Sequence, residues 1–122
     1  ALQMSLTRDG EDHPNTMMAM HNVGASLYKL QRYEKALRMF QKAFELRSRV
    51  LGSEHEHTLE TMNDIGNTLN RLKGYEEALS MHQKVFDLRS RVLGSEHEDT
   101  LMTMHDIGNA LSWLKQHEDA LS

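Results

Sequence analysis

The sequence predicts an all-α fold in which pairs of antiparallel helices repeat along the chain. Three observations carry this prediction. First, the chain of 122 residues repeats itself every 42 residues, because residues 11–52 and 53–94 share 21 identities in 42 positions. Second, apolar residues recur at the i, i+3, i+4 spacing of one helix face. Third, short connections with turn-forming residues separate the segments that show this spacing. A period of this length is typical of solenoids and helical arrays.

Each repeat contains two helical segments joined by a short connection. In the central repeat, the connection at Lys73-Gly74 supplies a glycine that ends a helix, and Gly94 predicts the end of the helix that follows. Lys115-Gln116 is the corresponding connection in the last repeat. Because neither helix can bury its apolar face alone, we expect neighbouring helices to stack. The predicted helices cover residues 14–30, 33–51, 56–72, 75–93 and 98–114.

The residues before the first helix of each repeat indicate where that helix begins. Ser53 and Glu56 have the spacing of a capping box, with serine as the N-cap, and the same spacing recurs one period later. In the first repeat Pro14 takes the position of Glu56. Proline suits the first helical residue because an N–H at that position has no helical partner. His13 is then the predicted N-cap of the first helix.

Small residues at fixed points of the repeat predict where the two helices of one repeat cross closely. The first helix carries a glycine at this point and the second helix carries an alanine. These residues are Gly24, Gly66, Gly108, Ala36, Ala78 and Ala120. Methionines that share the spacing of the apolar faces are predicted to fill the core. These are Met20, Met39, Met62, Met81 and Met104.

The domain organisation follows from the register of the repeats. Residues 1–10 correspond to the tail of a preceding second helix, repeat one covers 11–52, repeat two covers 53–94 and a truncated repeat three covers 95–122. Since both ends fall inside repeats, we expect a single array that is a fragment of a longer one.

The repeat resembles the tetratricopeptide repeat. The helix-crossing glycines match the small residue of that family's first helix, and Tyr33 and Tyr75 match its aromatic residue at the turn. The 42-residue period and the segments LGSEHEDTL at 93–101 and EDHPNT at 11–16 resemble the kinesin light chain subfamily. The resemblance implies a right-handed superhelical solenoid of antiparallel helix pairs. It also implies that the first helices line a concave face along which a partner peptide lies.

Composition narrows the function. The formal net charge is −4 without a basic block, which argues against a nucleic-acid partner. No apolar run is long enough to span a membrane, and the absence of cysteine excludes disulfides and thiol chemistry. No phosphate-binding loop or nucleophile motif is present, so we predict that the chain is not an enzyme and needs no cofactor. We expect a cytoplasmic location.

Histidine and arginine each allow a second interpretation. His55 and His57 resemble a metal site, but residues two apart do not share a helix face, so we predict no metal. Four arginines lie in the last turns of the second helices, where cations complement the helix dipole, and a phosphate-binding patch is the less favoured alternative. They are Arg47, Arg49, Arg89 and Arg91.

The groove positions implied by the family resemblance form three stripes, one on the first helix of each repeat, and each stripe follows the spacing of one helix face. Their amide side chains can bind an extended backbone, whereas an ordinary solvated face is the alternative. The first stripe is Met18, His21, Asn22, Ala25, Tyr28 and Lys29. The second is Glu60, Asn63, Asp64, Asn67, Asn70 and Arg71. The third is Met102, His105, Asp106, Asn109, Ser112 and Trp113.

The predicted function is a non-catalytic scaffold that binds a protein or peptide along these stripes. Asp64 and Asp106 take positions where the carboxylate-clamping members of the family carry asparagine and arginine, so we predict no binding to an acidic chaperone C-terminal tail. The alternative is a structural module that self-associates head to tail. Residues 117–122 of one molecule and 1–6 of the next would then nearly rebuild one helix.

Overall fold

A computed structural model describes residues 14–121 of the chain, and this part is entirely helical apart from short connections. We number its helices in chain order. They are α1 (Pro14–Lys29), α2 (Tyr33–Leu51), α3 (Glu56–Arg71), α4 (Tyr75–Leu93) and α5 (Glu98–Leu121). The all-α repeat fold predicted from the sequence is confirmed. The predicted helical tail in residues 1–10 lies outside the described residues, as does His13.

The described chain divides into two compact units, one ending at Thr61 and the other beginning at Met62. In the first unit, α1 packs on α2. A Cβ atom added at Gly24 would lie 2.8 Å from the ring of Phe40, so only glycine allows this approach. Ala36 and Ala43 on α2 are completely buried, and Met17 on α1 is almost so. The predicted close crossing of the first repeat is therefore present.

In the second unit, the same crossing recurs between α3 and α4. A Cβ atom at Gly66 would lie 2.8 Å from the ring of His82, which takes the position of Phe40 one period later. Ala78, Val85 and His82 on α4 are fully buried. Helix α4 also packs against α5.

The turn within each of the first two repeats is made by a residue with a left-handed backbone. Gln31 and Lys73 have φ of 64° and 68°, and the following backbone N–H groups reach back to carbonyls five residues earlier, as in a Schellman motif. The predicted helix-ending role of Gly74 is wrong, because Gly74 has φ of −85° and precedes α4. Gly52 and Gly94, with φ of 98°, end α2 and α4, as predicted for Gly94.

Histidine, and not serine, caps the first helix of the second and third repeats. Nδ1 of His55 accepts the backbone N–H of His57 at 3.1 Å, and His97 does the same for Asp99. The predicted capping box is therefore wrong: α3 begins at Glu56, which puts Ser53 two residues before the cap. In the first repeat α1 begins at Pro14, as predicted.

The predicted end of the last helix is also wrong, since α5 continues to Leu121 without a turn at Lys115-Gln116. A turn there requires a residue in the left-handed conformation, which is unfavourable for a non-glycine residue. In the segment after Gln116, Leu121 is 76% exposed. The burial of this side chain therefore does not offset the cost of a left-handed residue. Continued helix is then the more stable state.

The core prediction for methionine holds only in part. Met62 is 7% exposed, but Met104, at the same position of the next repeat, is 49% exposed. Met20, Met39 and Met81 are half-buried. Among the described residues, none of the helices has the length and apolarity needed to cross a membrane.

Candidate functional site

The first predicted stripe lies on α1, and three of its six members are exposed. Met18, Asn22 and Lys29 are exposed, and Ala25 and Tyr28 are half-buried. The ring of Tyr28 meets that of Tyr33 edge to face, with 5.2 Å between the ring centres.

His21 is the exception in the first stripe, because it is 9% exposed and part of a buried network. Arg47 donates to the carbonyl of His57 at 3.0 Å and to Oγ1 of Thr61 at 2.6 Å. Nδ1 of His21 lies 3.4 Å from the same guanidinium nitrogen, and its Nε2 lies 3.4 Å from Oε1 of Glu60. The expectation that His21 faces a ligand is therefore corrected: both ring nitrogens are engaged within the fold.

The charge state of His21 follows from this setting. Burial lowers the pKa of His21 below its ordinary value, and the Arg47 guanidinium lowers it further, whereas Glu60 partly opposes both. The imidazole is therefore neutral at pH 7. Nδ1 then accepts from Arg47, and Nε2–H faces the Glu60 carboxylate. A metal ion would have to displace one of these contacts to bind the ring.

The second and third stripes meet within the second unit. Nδ2 of Asn63 on α3 donates to Oδ2 of Asp106 on α5 at 3.0 Å, and Oδ1 of Asn63 accepts from Nδ1 of His82 at 2.7 Å. Burial lowers the pKa of His82, and the nearby Asp106 carboxylate offsets part of that effect. Both the nitrogen and the oxygen of the Asn63 amide are thus hydrogen-bonded within the fold, whereas Oδ1 of Asp106 takes no part in these two bonds.

A cleft of about 240 Å³ brings together the C-terminal members of these two stripes. It is lined by Asn70, Arg71 and Trp113 of the predicted set, with Lys73 of the preceding turn and Tyr75, the first residue of α4. Asn70 is 5% exposed, which corrects the expectation that it lies on the surface. Within the described part of the chain, no donor reaches its Oδ1. This oxygen is itself shielded from solvent, so a ligand in the cleft would meet the other lining residues, Arg71, Lys73, Tyr75 and Trp113.

A second cleft, of about 260 Å³, adjoins the first and shares Lys73 and Tyr75 with it. Its other walls are the start of α4 and the exposed end of α5, where the ring centres of Tyr75 and His117 are 5.5 Å apart. None of its lining residues belongs to the predicted stripes.

The remaining stripe positions differ in exposure. On α3, Glu60 and Arg71 are exposed and Asp64 and Asn67 are half-buried. On α5, all members but the half-buried Asp106 are exposed, namely Met102, His105, Asn109, Ser112 and Trp113.

Sequence reasoning missed the buried arginines. Arg47 and Arg89 are 4% and 6% exposed, and each donates to a threonine hydroxyl at 2.6 Å and to a backbone carbonyl in the helix that follows. The interpretation as cations at a helix end, or as a phosphate patch, does not hold for these two residues. The repeat itself carried a signal for these contacts, because Thr61 and Thr103 are 42 residues apart, as are Arg47 and Arg89.

Comparisons with known proteins agree with this architecture. The sequence profile of the tetratricopeptide repeat matches three overlapping segments, residues 1–47, 15–89 and 63–122. A search among curated proteins finds no match.

Solved structures that superpose on this chain include repeat proteins of the kinesin light chain type. BtubC (BKLC) from P. vanneervenii superposes with a TM-score of 0.79 at 18% identity, covering 98% of this chain and 48% of that one. A Podosopora anserina protein described as a kinesin light chain with nearly identical TPR-like repeats superposes with a TM-score of 0.74 at 19% identity, covering 91% and 53%. A variant of that protein gives a TM-score of 0.76 at 19% identity, covering 91% and 52%. The chain therefore spans about half the length of these structures.

Proposed function

The chain belongs to the tetratricopeptide repeat family, and from this premise we propose that it is a non-catalytic scaffold that binds a peptide or partner segment along the stripes on α1, α3 and α5. Repeats of this family generally mediate protein–protein interaction. The repeat boundaries at residues 11–52, 53–94 and 95–122 belong to the same proposal.

The observation that carries the proposal is the cleft in which Arg71 of the second stripe and the exposed Trp113 of the third stripe come together with Tyr75. An extended peptide has one backbone N–H and one C=O per residue, and exposed amide groups such as that of Asn109 can bind both. The two aromatic rings offer apolar surface to the adjoining side chain of the ligand. The exposed asparagine and serine on α5 extend the polar contacts along the stripe.

The proposal is tested by selecting short peptides from a displayed random library against the whole chain. Affinity of a labelled peptide is then measured by fluorescence anisotropy for the wild type and for Trp113→Ala. We expect Trp113→Ala to weaken binding by about tenfold or more, because aromatic side chains dominate such interfaces. Gln83→Ala, at an exposed position on α4, is the matched control and should leave affinity unchanged. Equal affinity of Trp113→Ala and wild type would contradict the proposed surface.

Head-to-tail self-association is the second candidate function. The exposed apolar side chains on α5 favour it, since Leu101, Met104 and Leu111 are each 49% exposed. The predicted rebuilding of one helix from residues 117–122 of one molecule and 1–6 of the next is contradicted by the continuation of α5 to Leu121. Sedimentation over a wide range of protein concentration separates the two candidates: a constant monomer mass contradicts self-association.

A further inference from the structure

We propose that the peptide bound along the stripes carries a basic side chain, lysine or arginine, that pairs with the carboxylate of Asp106. This inference rests on the proposed function, since it names the chemistry of the ligand at one point of the same groove. It depends on a chain of hydrogen bonds, all within the second unit, that fixes Asp106 and leaves one of its two oxygens open to a ligand.

The carboxylate of Asp106 is held by α3 and, through α3, by α4. Nδ2 of Asn63 donates to Oδ2 of Asp106 at 3.0 Å. Asn63 is itself held, because its Oδ1 accepts from Nδ1 of His82 at 2.7 Å and His82 is fully buried. Residues of three helices therefore fix the position of one carboxylate. A side chain that is already ordered loses little conformational entropy when a ligand binds.

The other oxygen of Asp106 is available to a ligand. Among residues 14–121, no group donates a hydrogen bond to Oδ1 of Asp106. This oxygen does not belong to the buried polar atoms that lack a partner, so it reaches solvent. Asp106 as a whole is half-buried. Because partial burial reduces screening by water, a cation paired with this carboxylate is bound more strongly than one at a fully exposed carboxylate.

The charges around Asp106 favour a cation over an anion. The stripe on α5 contains no lysine or arginine, and Asp106 is its only carboxylate. In the neighbouring stripe on α3, Asp64 adds a second carboxylate. The cations Arg71 and Lys73 lie in the cleft at the C-terminal end of α3, at least two helical turns beyond Asp64. We therefore expect a basic side chain of the ligand to be attracted at this level of the groove and an acidic one to be repelled.

The spacing along α5 predicts where the basic residue lies in the ligand. Asp106 and Trp113 are seven residues apart. Seven residues make two helical turns, so the two side chains share one face at a separation of about 10 Å. An extended peptide covers about 10 Å in three residues. The basic residue should therefore lie three positions from the side chain that packs on Trp113.

The experiment compares two displayed libraries of short peptides, selected against the whole chain. One library has a fixed central lysine, the other has a fixed central glutamate, and all other positions are random. We expect the best binders from the lysine library to have a Kd about tenfold lower than the best binders from the glutamate library. Equal or tighter binding from the glutamate library would overturn the inference, as would the absence of binders from the lysine library.

Asp106→Asn tests whether the contact is made by this residue. The amide oxygen of the new side chain can still accept from Asn63, so the variant removes the charge and keeps the hydrogen bond to α3. By fluorescence anisotropy, we expect the lysine peptide to bind about tenfold more weakly, and its Kd to depend less on salt concentration. Asp87→Asn is the matched control, because it removes the same charge from an exposed position on α4, and it should change neither quantity. Equal effects of the two variants would overturn the pairing, since the overall charge would then explain them.

A double-mutant cycle tests the pairing itself. Replacing the peptide lysine by alanine in addition to Asp106→Asn should weaken binding little more than either change alone, because both changes remove the same contact. Losses that simply add would overturn the pairing.

Trp113→Ala distinguishes this inference from the proposed function. Peptides that lose affinity for Trp113→Ala but not for Asp106→Asn would overturn the basic ligand and leave the proposed groove intact. Peptides with the reverse pattern would support the pairing with Asp106 and contradict the proposed contact with Trp113.

Discussion

The crossing of α3 and α4 at Gly66 can be tested by a single substitution. In Gly66→Val, the new Cβ would lie 2.8 Å from Cε1 and 2.9 Å from Nε2 of His82, inside van der Waals contact. His82 cannot swing away cheaply, because it is fully buried and its Nδ1 donates to Asn63 at 2.7 Å. Either the helices separate or this hydrogen bond breaks.

The cost combines overpacking with the strained hydrogen bond, and together they destabilise by about 2–4 kcal/mol. Valine gains only a few tenths of a kcal/mol in helix propensity over glycine, which does not offset this cost. Urea unfolding followed by far-ultraviolet circular dichroism should therefore show a clearly lower midpoint for Gly66→Val.

Gly108→Val is the matched control, because it makes the same substitution at the equivalent position of α5, where nothing lies within 4 Å. Its midpoint should equal or slightly exceed that of the wild type. If both variants lost the same stability, the loss would come from valine in a helix and not from the crossing. An unchanged midpoint for Gly66→Val would refute the packing of His82 on Gly66.

Three further predictions concern the buried charges and the ligand. Arg89→Ala should lower the free energy of unfolding by about 1.5–3 kcal/mol, because Arg89 donates to Thr103 and to a backbone carbonyl. The control is Arg91→Ala, at an exposed position, which should change the free energy of unfolding little. Equal effects of the two variants in urea unfolding would contradict this role of Arg89. The lowered pKa values of His21 and His82 mean that the unfolded chain binds more protons below pH 6.5. The free energy of unfolding should therefore be highest above that pH and fall as the pH drops, by up to about 1.4 kcal/mol per pH unit for each histidine. A melting temperature that stays constant between neutral and mildly acidic pH would contradict this prediction. Calorimetry with an acidic chaperone-tail peptide should show no binding, because Asp64 and Asp106 place carboxylates at the clamp positions of the groove; micromolar affinity would overturn this prediction.

The sequence predicted the helices well because their signals are local and repeated. The apolar spacing and the glycines placed α1 to α4 within about one residue at either end, and the crossing glycines proved to touch the following helix wherever one covers them. The caps were less predictable. Ser53 and His55 are both able to cap a helix, and only the backbone decides that the helix begins after His55.

The candidate site was predicted less well, because polar burial depends on contacts between distant residues. Helical spacing puts His21 and Asn70 on the same face as their exposed neighbours. It carries no information about Arg47, which lies on the next helix and contacts Nδ1 of His21. The cleft likewise depends on Lys73 in the turn and on Tyr75 at the start of α4 as much as on the stripe. The sequence pattern also does not indicate that Asn70 is buried with no hydrogen-bond donor to its Oδ1.

The central claim, that a peptide occupies the stripes on the first helices, is tested most directly by the fluorescence of Trp113. Trp113 is the only tryptophan of the chain, and it lines the cleft beside Asn70. When a tryptophan-free peptide from the selection is titrated in, the emission should shift to shorter wavelength and saturate with the Kd that calorimetry gives. Peptides that bind by calorimetry and leave the emission of Trp113 unchanged would contradict the claim.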